Sequence, residues 1–310
     1  MLVAAFVLLA AGAAAESPID PLDPRSLLRL QVLLDRVHCS PGEIDGKPGS
    51  NTARALAAFQ KRTGLVPVDP ADESTWVALE DATGSAVPLV AYTITKDDVA
   101  GPYNPPPADM MDKAQREALG YGSVVEAIGE RFHASPELLF ALNPGVSIDT
   151  EGQVIQVPNV RTEVRDVPVD RVVVDAATLS VQAIGPDGQL VAYYPASMGS
   201  EHDPLPDGRF TIAGVAQEPP YSYDPSLFWD AKEGHSKAML PPGPNNPVGV
   251  VWIALSQPNV GIHGTPEPSK IGKTESHGCI RLTNWDAEEL SHLVRPGTPA
   301  FLRNGATRGR

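Results

Sequence analysis

RVVVDAATLSVQAIGPDGQLVAYYP, residues 171–195, reads as strand, turn and strand. Val172-Val173-Val174 is an apolar run, and Leu179-Ser180-Val181-Gln182-Ala183 alternates apolar with polar. Pro186-Asp187-Gly188 carries turn chemistry, and Leu190 to Tyr194 resumes the apolar character. Successive side chains of an extended chain point to opposite faces, so alternation marks a strand with one buried face. Asp207-Gly208 then separates a further strand, Arg209-Phe210-Thr211-Ile212. Short strands at hairpin spacing predict a mainly β domain, a sandwich or barrel, from Arg171 onward.

Upstream of a linker at Arg161 to Val169 the period changes. Arg25 to Val37 places Leu27, Leu28, Leu30, Val32, Leu33, Leu34 and Val37 around a helix, which predicts burial. Asp45-Gly46 is a turn, Asn51 is read as the cap of a second helix with Ala55, Leu56 and Phe59 on one face, and a third short helix is expected from Glu73 to Leu79. This is a small α-helical bundle. A small α+β unit follows over 91–160: a strand at Tyr92 to Thr95, a helix at Ser123 to Phe132, a second helix starting at Ser135-Pro136-Glu137 and stopping at Asn143-Pro144, and a strand at Val154 to Pro158. An insertion over 97–119, rich in Pro and Met, interrupts it. The fold class is therefore multidomain.

Composition narrows the function classes. With 310 residues, two or three domains are expected, and 42% hydrophobic against 20% charged residues supports packed cores. Lys and Arg total 24, Asp and Glu 38, and the net charge is −14. That excludes a nucleic-acid partner, whose phosphates need clustered cations. Residues 1–15 read as a signal peptide: the apolar run Leu2 to Ala11 is too short to anchor in a bilayer, and Ala13-Ala14-Ala15 offers small residues before Glu16. The expectation is an exported protein of the periplasm or cell envelope without stable membrane insertion. The two cysteines, Cys39 and Cys279, are no disulfide scaffold. Cys39, at the end of the first helix, is expected as a small buried apolar residue.

The chemistry concentrates in GIHGTPEPSKIGKTESHGCIRLTN, residues 261–284. A thiolate is a strong nucleophile, but an ordinary thiol is mostly protonated at neutral pH and needs a base. His263 can take the proton of Cys279 and return one to a leaving amine, if a strand, a loop and a returning strand bring the two together. Gly264 and Gly278 leave room where two backbones and a substrate approach. The amides of Gly278 and Cys279 are candidate oxyanion donors. Three rival readings stand beside this one: Cys279 as a buried small residue, a zinc site using His263, His277 and Cys279, and a disulfide to Cys39. Ser, His, Gly and Arg around Cys279 argue against the first, the missing fourth ligand against a closed zinc site, and the separate modules of the two cysteines against the third. The expectation is no metal and no cofactor.

Three resemblances organise these readings. His263-Gly264-Thr265, Ser276-His277-Gly278-Cys279-Ile280-Arg281-Leu282 and Asn284, with Pro241-Pro242-Gly243-Pro244 and Asn246-Pro247 upstream, closely resemble the YkuD-type L,D-transpeptidases over 169–302; Leu205 departs from the family's usual Thr. Leu30-Gln31, Ile44-Asp45-Gly46, Thr52, Ala55, Phe59-Gln60 and Thr75-Trp76 resemble the three-helix peptidoglycan-binding domain over 24–82. Ser135, Leu139, Leu142-Asn143 and Gly152 to Pro158 resemble a LysM domain, whose first strand–helix loop the insertion occupies. The first resemblance implies Cys279 as nucleophile, His263 as general base and acid, and His277 and Ser276 as orienting groups, one of them holding the His263 ring. It implies Gly278 as oxyanion donor and Arg281, Gly264, Thr265 and Tyr221 as substrate-binding residues. Tyr223 and Trp229 are further cleft candidates, with ordinary packing as the rival reading for all three aromatics. An ion pair of Arg281 with Asp286 is the structural alternative for that cation. The implied reaction releases D-Ala from a tetrapeptide stem of peptidoglycan through a Cys thioester at diaminopimelate, in cell-wall biogenesis and cell shape. The acyl group then passes to a stem amine (a 3–3 cross-link), to an outer-membrane lipoprotein, or to water as in an L,D-carboxypeptidase. A non-catalytic peptidoglycan-binding protein is the reading from another class.

Overall fold

The computed structural model describes residues 23, 26–161, 167–276 and 278–305. The expected signal peptide and His277 lie outside the described residues.

The helical bundle is α1 (Leu27–Arg36), α2 (Ser50–Arg62) and α3 (Glu73–Thr83). Ser26 caps α1 by accepting from the Arg29 amide at 3.2 Å, and Asp72 caps α3 through the Thr75 amide at 2.9 Å. α3 ends on Gly84 at φ 62, the left-handed stop that glycine supplies without strain. α1 is buried on two faces. Leu30, Leu33 and Leu34 join Phe59, Trp76 and Leu79 in the bundle core, with Cys39 fully buried beside them. Leu28 and Val32 point the other way, into the α+β core. Asn51 is not the cap it resembles. The helix starts at Ser50 after Gly49, and the Asn51 side-chain amide donates to the Ile271 carbonyl at 2.8 Å, so a distant loop takes the bond a cap would have made.

The α+β unit comprises β1 (Leu89–Thr93), the short helices α4 (Lys96–Val99) and α5 (Met110–Lys113), α6 (Val124–Arg131), α7 (Pro136–Leu142) and β2 (Val154–Pro158). β1 and β2 pair antiparallel from Leu89–Pro158 to Thr93–Val154. Ser123 and Ser135 cap α6 and α7, and Pro136 occupies the first turn of α7, where its missing N–H costs nothing. α4 and α5 are built from the insertion.

The rest of the chain forms β3 (Arg171–Asp175), β4 (Ser180–Ile184), β5 (Leu190–Pro195), β6 (Ser197–Met198), β7 (Gly208–Gln217), β8 (Tyr221–Tyr223), β9 (Ala238–Leu240), β10 (Val251–Leu255), β11 (Gly261–His263), β12 (Ile280–Arg281), α8 (Asn284–Leu293) and β13 (Pro299–Arg303). Nine strands make one mixed sheet in the order β5-β4-β3-β13-β7-β10-β11-β12-β6, with β3·β13 and β11·β12 parallel. Its two end strands, β5 and β6, are separated in the chain by Ala196 alone, so the sheet must curl until its ends nearly meet. The domain is thus mainly β and nearly closed. Val174, Tyr194, Ile253, Ile262, Ile280 and Leu290 of α8 fill its interior. The outer margin of β5 is covered by the bundle: the Tyr193 amide donates to the His38 carbonyl and the Ser40 amide to the Tyr193 carbonyl, both at 2.9 Å. β8 and β9 stand apart as a small flap.

A buried charge cluster joins all three units. Arg161 reaches Asp35 at 2.6 Å, Asp286 at 2.7 Å and Glu289 at 3.1 Å. His133 meets Asp35 at 2.8 Å and stacks on Trp285, His38 binds Glu289, and the Ser40 hydroxyl donates to Asp286 at 2.8 Å. Burial alone would raise Asp35, but Arg161 and His133 outweigh it and hold the carboxyl well below the usual range.

Candidate active site

Register across four strands builds the site. Trp252 on β10 lies opposite His263 on β11, His263 opposite Arg281 on β12, and Arg281 opposite Ser197 on β6. Residues paired across a sheet share a face, so these form one row. Their sequence neighbours Ile253, Ile262, Ile280 and Met198 make the adjacent row, which faces the interior. One face of the sheet is thus core and the other chemistry. Cys279, next to Ile280, joins Arg281 on the chemical side, and both line a cavity of about 640 Å³ with His263, Trp252, Tyr221 and Tyr223.

His263 is buried, at 4% exposure. Its Nδ1 lies 2.7 Å from the Gly264 carbonyl. A carbonyl only accepts, so Nδ1 carries the proton and Nε2 is left as the acceptor. Trp252 stacks on the ring at 5.4 Å and 19°. Burial pushes His263 down to about 4; the Gly264 carbonyl opposes this and Arg281 adds to it. Burial likewise pushes the Cys279 thiol up, against a backbone hydrogen bond from Gly261 and the Arg281 charge. The resting pair is therefore neutral thiol and neutral imidazole. The thiol donates to the Asn259 carbonyl at 3.5 Å. Cys279 and Cys39 form no disulfide.

Ser276 does not hold the imidazole. Its hydroxyl donates to the Cys279 carbonyl at 2.5 Å and accepts from the Gly199 amide at 2.8 Å, so it staples the loop before the thiol to the end of β6. The ring's Nδ1 partner is backbone instead. Gly278 has φ 89, a conformation a side chain would strain, and so is needed for its backbone rather than for space. Gly264 is the reverse case, because a Cβ there would sit 2.2 Å from the Asn284 Oδ1. Thr265 is buried, its hydroxyl accepting from the Glu267 amide at 3.2 Å, which sets it in the turn after β11 rather than on the cavity wall. Asp286 is engaged by Arg161 and Ser40, leaving Arg281 to face the cavity. Tyr221 is half-buried on the wall and pushed up to about 12 by burial and by Cys279. Trp229 is 63% exposed and lies tilted against the His202 ring at 4.5 Å, outside the cavity lining. The rival zinc set needs His277, which is outside the described residues.

Three contributors carried no sequence signal: Trp252, eleven positions before His263 and adjacent only through the strand register, and Asp109 and Met110 of the insertion, which line the cavity from the α+β unit. Asn284 stood inside the quoted motif without a role. Its side chain underlies Gly249 and Gly264 and donates to the Glu130 carboxyl at 3.3 Å.

Comparison with known proteins agrees with this architecture. Residues 169–302 match the "L,D-transpeptidase catalytic domain" family, YkuD, and residues 26–79 match the "Putative peptidoglycan binding domain" family. The protein named "Putative L,D-transpeptidase YkuD" from Bacillus licheniformis is 31% identical over 179 residues, 57% of this chain and 92% of the relative. Its Bacillus subtilis namesake is 28% identical over the same shares. The crystal structure of an L,D-transpeptidase from Xylanimonas cellulosilytica covers 89% of this chain and 92% of its own, at 17% identity and a TM-score of 0.37. The sequence match to the Bacillus licheniformis relative, 31% identical over 92% of its length and carrying the catalytic-domain motif, makes this chain a member of the YkuD family of L,D-transpeptidases.

Proposed function

We propose that the protein is a cysteine acyltransferase acting on peptidoglycan stems outside the cytoplasm. The observation that carries this is the placing of Cys279, His263 and Arg281 on the wall of one cavity, with the imidazole proton committed to Nδ1. As the sulfur attacks the carbonyl carbon at the L-centre of diaminopimelate, its proton passes to Nε2 of His263. The tetrahedral oxyanion develops toward the amides of Gly278 and Cys279. Nε2 then returns the proton to the departing D-Ala amine, leaving a thioester on Cys279. An incoming amine attacks that thioester, gives its proton to His263, and the sulfur leaves and is reprotonated. A stem amine yields a 3–3 cross-link, a lipoprotein lysine an anchored protein, and water the carboxypeptidase product. Arg281 offers a fixed, always-charged partner to a substrate carboxylate.

The bundle serves as the glycan-binding unit. In the LysM-like unit the first strand–helix loop is given over to the insertion, whose Leu119 and Met110 pack on the flap. That directs this loop to the catalytic domain rather than to sugar. Export to the periplasm or cell envelope would bring the chain to its substrate; among the described residues no helix is long and apolar enough to cross a membrane.

The test is incubation with purified tetrapeptide muropeptides, with and without a lipoprotein peptide, read by mass spectrometry. Loss of D-Ala with a covalent adduct on the Cys279 peptide is expected, and neither with Cys279→Ala. Undiminished turnover by that variant would overturn the reading.

A further inference from the structure

The flap formed by β8 and β9 has two strands of three residues each and no ladder to the main sheet. A hairpin that small does not hold a position by itself. Its contacts run to the insertion instead. Met110, Met111, Ala114 and Leu119 pack with Tyr223, Leu240 and Phe228. The Leu119 amide donates to the Pro242 carbonyl and its carbonyl accepts from the Asn245 amide, both at 2.9 Å. Gly243 is obligatory there, since a Cβ would lie 2.3 Å from the Leu119 oxygen.

At the rim, Asp109 uses both carboxylate oxygens. Oδ1 accepts from the Met111 amide at 2.8 Å and caps α5, while Oδ2 faces Lys232 at 2.8 Å and His235 Nε2 at 3.2 Å. His235 Nδ1 lies 2.9 Å from the Tyr223 hydroxyl, so that hydroxyl donates to Nδ1 and Nε2–H donates to Asp109. The Lys232 side chain is 67% exposed, and such a pair contributes little. The His235 side chain is 9% exposed, so the Asp109–His235–Tyr223 chain is the stronger fastening. Asp109 and Tyr223 line the same cavity as Cys279.

We propose that Asp109 is a positioning residue for acyl transfer: through His235 and Tyr223 it holds the flap against the insertion, and the wall so made limits the size of the molecule that reaches Cys279. The proposal rests on the reading of Cys279 as nucleophile for its catalytic consequence, but not for its geometry. The test therefore has two arms, both on the full chain. In the first, Cys279 is alkylated by iodoacetamide and by a bulky polyethylene-glycol maleimide, and its peptide is quantified by mass spectrometry. Asp109→Asn, which keeps the cap acceptor and removes the charge, raises the bulky-to-small rate ratio about tenfold, and Asp109→Glu returns it to within about twofold of the parent. Tyr223→Phe, which breaks the fastening from the flap side and leaves the α5 cap intact, moves the ratio the same way. In the second arm, Asp109→Asn raises KM for a tetrapeptide muropeptide about tenfold with kcat within about twofold. An unchanged rate ratio in both Asp109→Asn and Tyr223→Phe overturns the wall, as does a KM that stays put in an active enzyme. A shifted ratio with no turnover even in the parent chain upholds the wall and instead removes the acyltransferase reading.

Discussion

Nε2 of His263 accepts a proton only while the ring is neutral, and burial holds that ring neutral down to about pH 4. Protonating Nε2 removes the base, so activity is lost as pH falls through about 4 and not near the ordinary histidine value of about 6.5. A pH profile of kcat/KM on muropeptides should stay level from about pH 8 down to about 5 on its acid side, then fall. Because the thiol is pushed up, iodoacetamide alkylation of Cys279 should keep rising with pH beyond the range of an unperturbed thiol, near 8.5. A thiolate–imidazolium pair would give a level alkylation rate instead. Gly278→Ala forces a side chain into φ 89 and should cost about 1–2 kcal/mol of stability. By shifting an oxyanion donor it should also lower kcat about 100-fold or more, checked by melting and turnover together. The thiol and His263 were legible because their chemistry is written in residue type. Trp252 was not, because its stacking partner is chosen by strand register.

At the scale of elements, α1 shows how much a pattern conveys and where it stops. Leu27 to Val37 carries apolar residues on more than one face, and that correctly reads as burial. Nothing local says that two different units share the helix, because the second face meets Ile128, Leu139 and Ile155, about a hundred positions away. Leu28→Ala opens a cavity on that second face and should cost about 2–5 kcal/mol. The bundle and the α+β unit should still unfold in one calorimetric transition; two separated transitions would show that the helix does not couple them. The strand–helix–helix–strand order of the α+β unit was readable from capping residues, as Ser123 and Ser135 show. The placement of the insertion was not, since Pro and Met advertise a break in regular structure but not a destination.

For the whole molecule, the decisive group is Arg161, an ordinary linker residue in the sequence and the hub of three buried carboxylates in the fold. Arg161→Met would leave Asp35, Asp286 and Glu289 without their shared cation and should cost about 3–5 kcal/mol, measured by denaturant unfolding. The pH dependence follows from two opposed groups of acids. Asp35 and Glu289 are held low, so their stabilisation is present above the unfolded carboxyl range and lost as pH falls below it. Glu43 and Glu130 are raised to about 7 and about 8, chiefly by burial, so the folded state binds protons that the unfolded state releases. Their contribution is complete below their unfolded value of about 4.5 and is lost as pH climbs through 7 to 8. Stability should therefore peak in mildly acidic solution. Glu130→Gln should raise the melting temperature more at pH 8.5 than at pH 5, and equal shifts at the two values would refute that assignment.

The cover that His38 and Ser40 lay over Tyr193 has a further outcome. An uncovered strand margin is an invitation to sister molecules, which can extend the ladder from one copy to the next. Shorn of everything before residue 167, the enzyme half would present that naked border to its neighbours. Such a fragment should clump at concentrations where the intact chain stays dispersed, a difference that light scattering would register. The helices in front thus act as a stopper for the domain behind them.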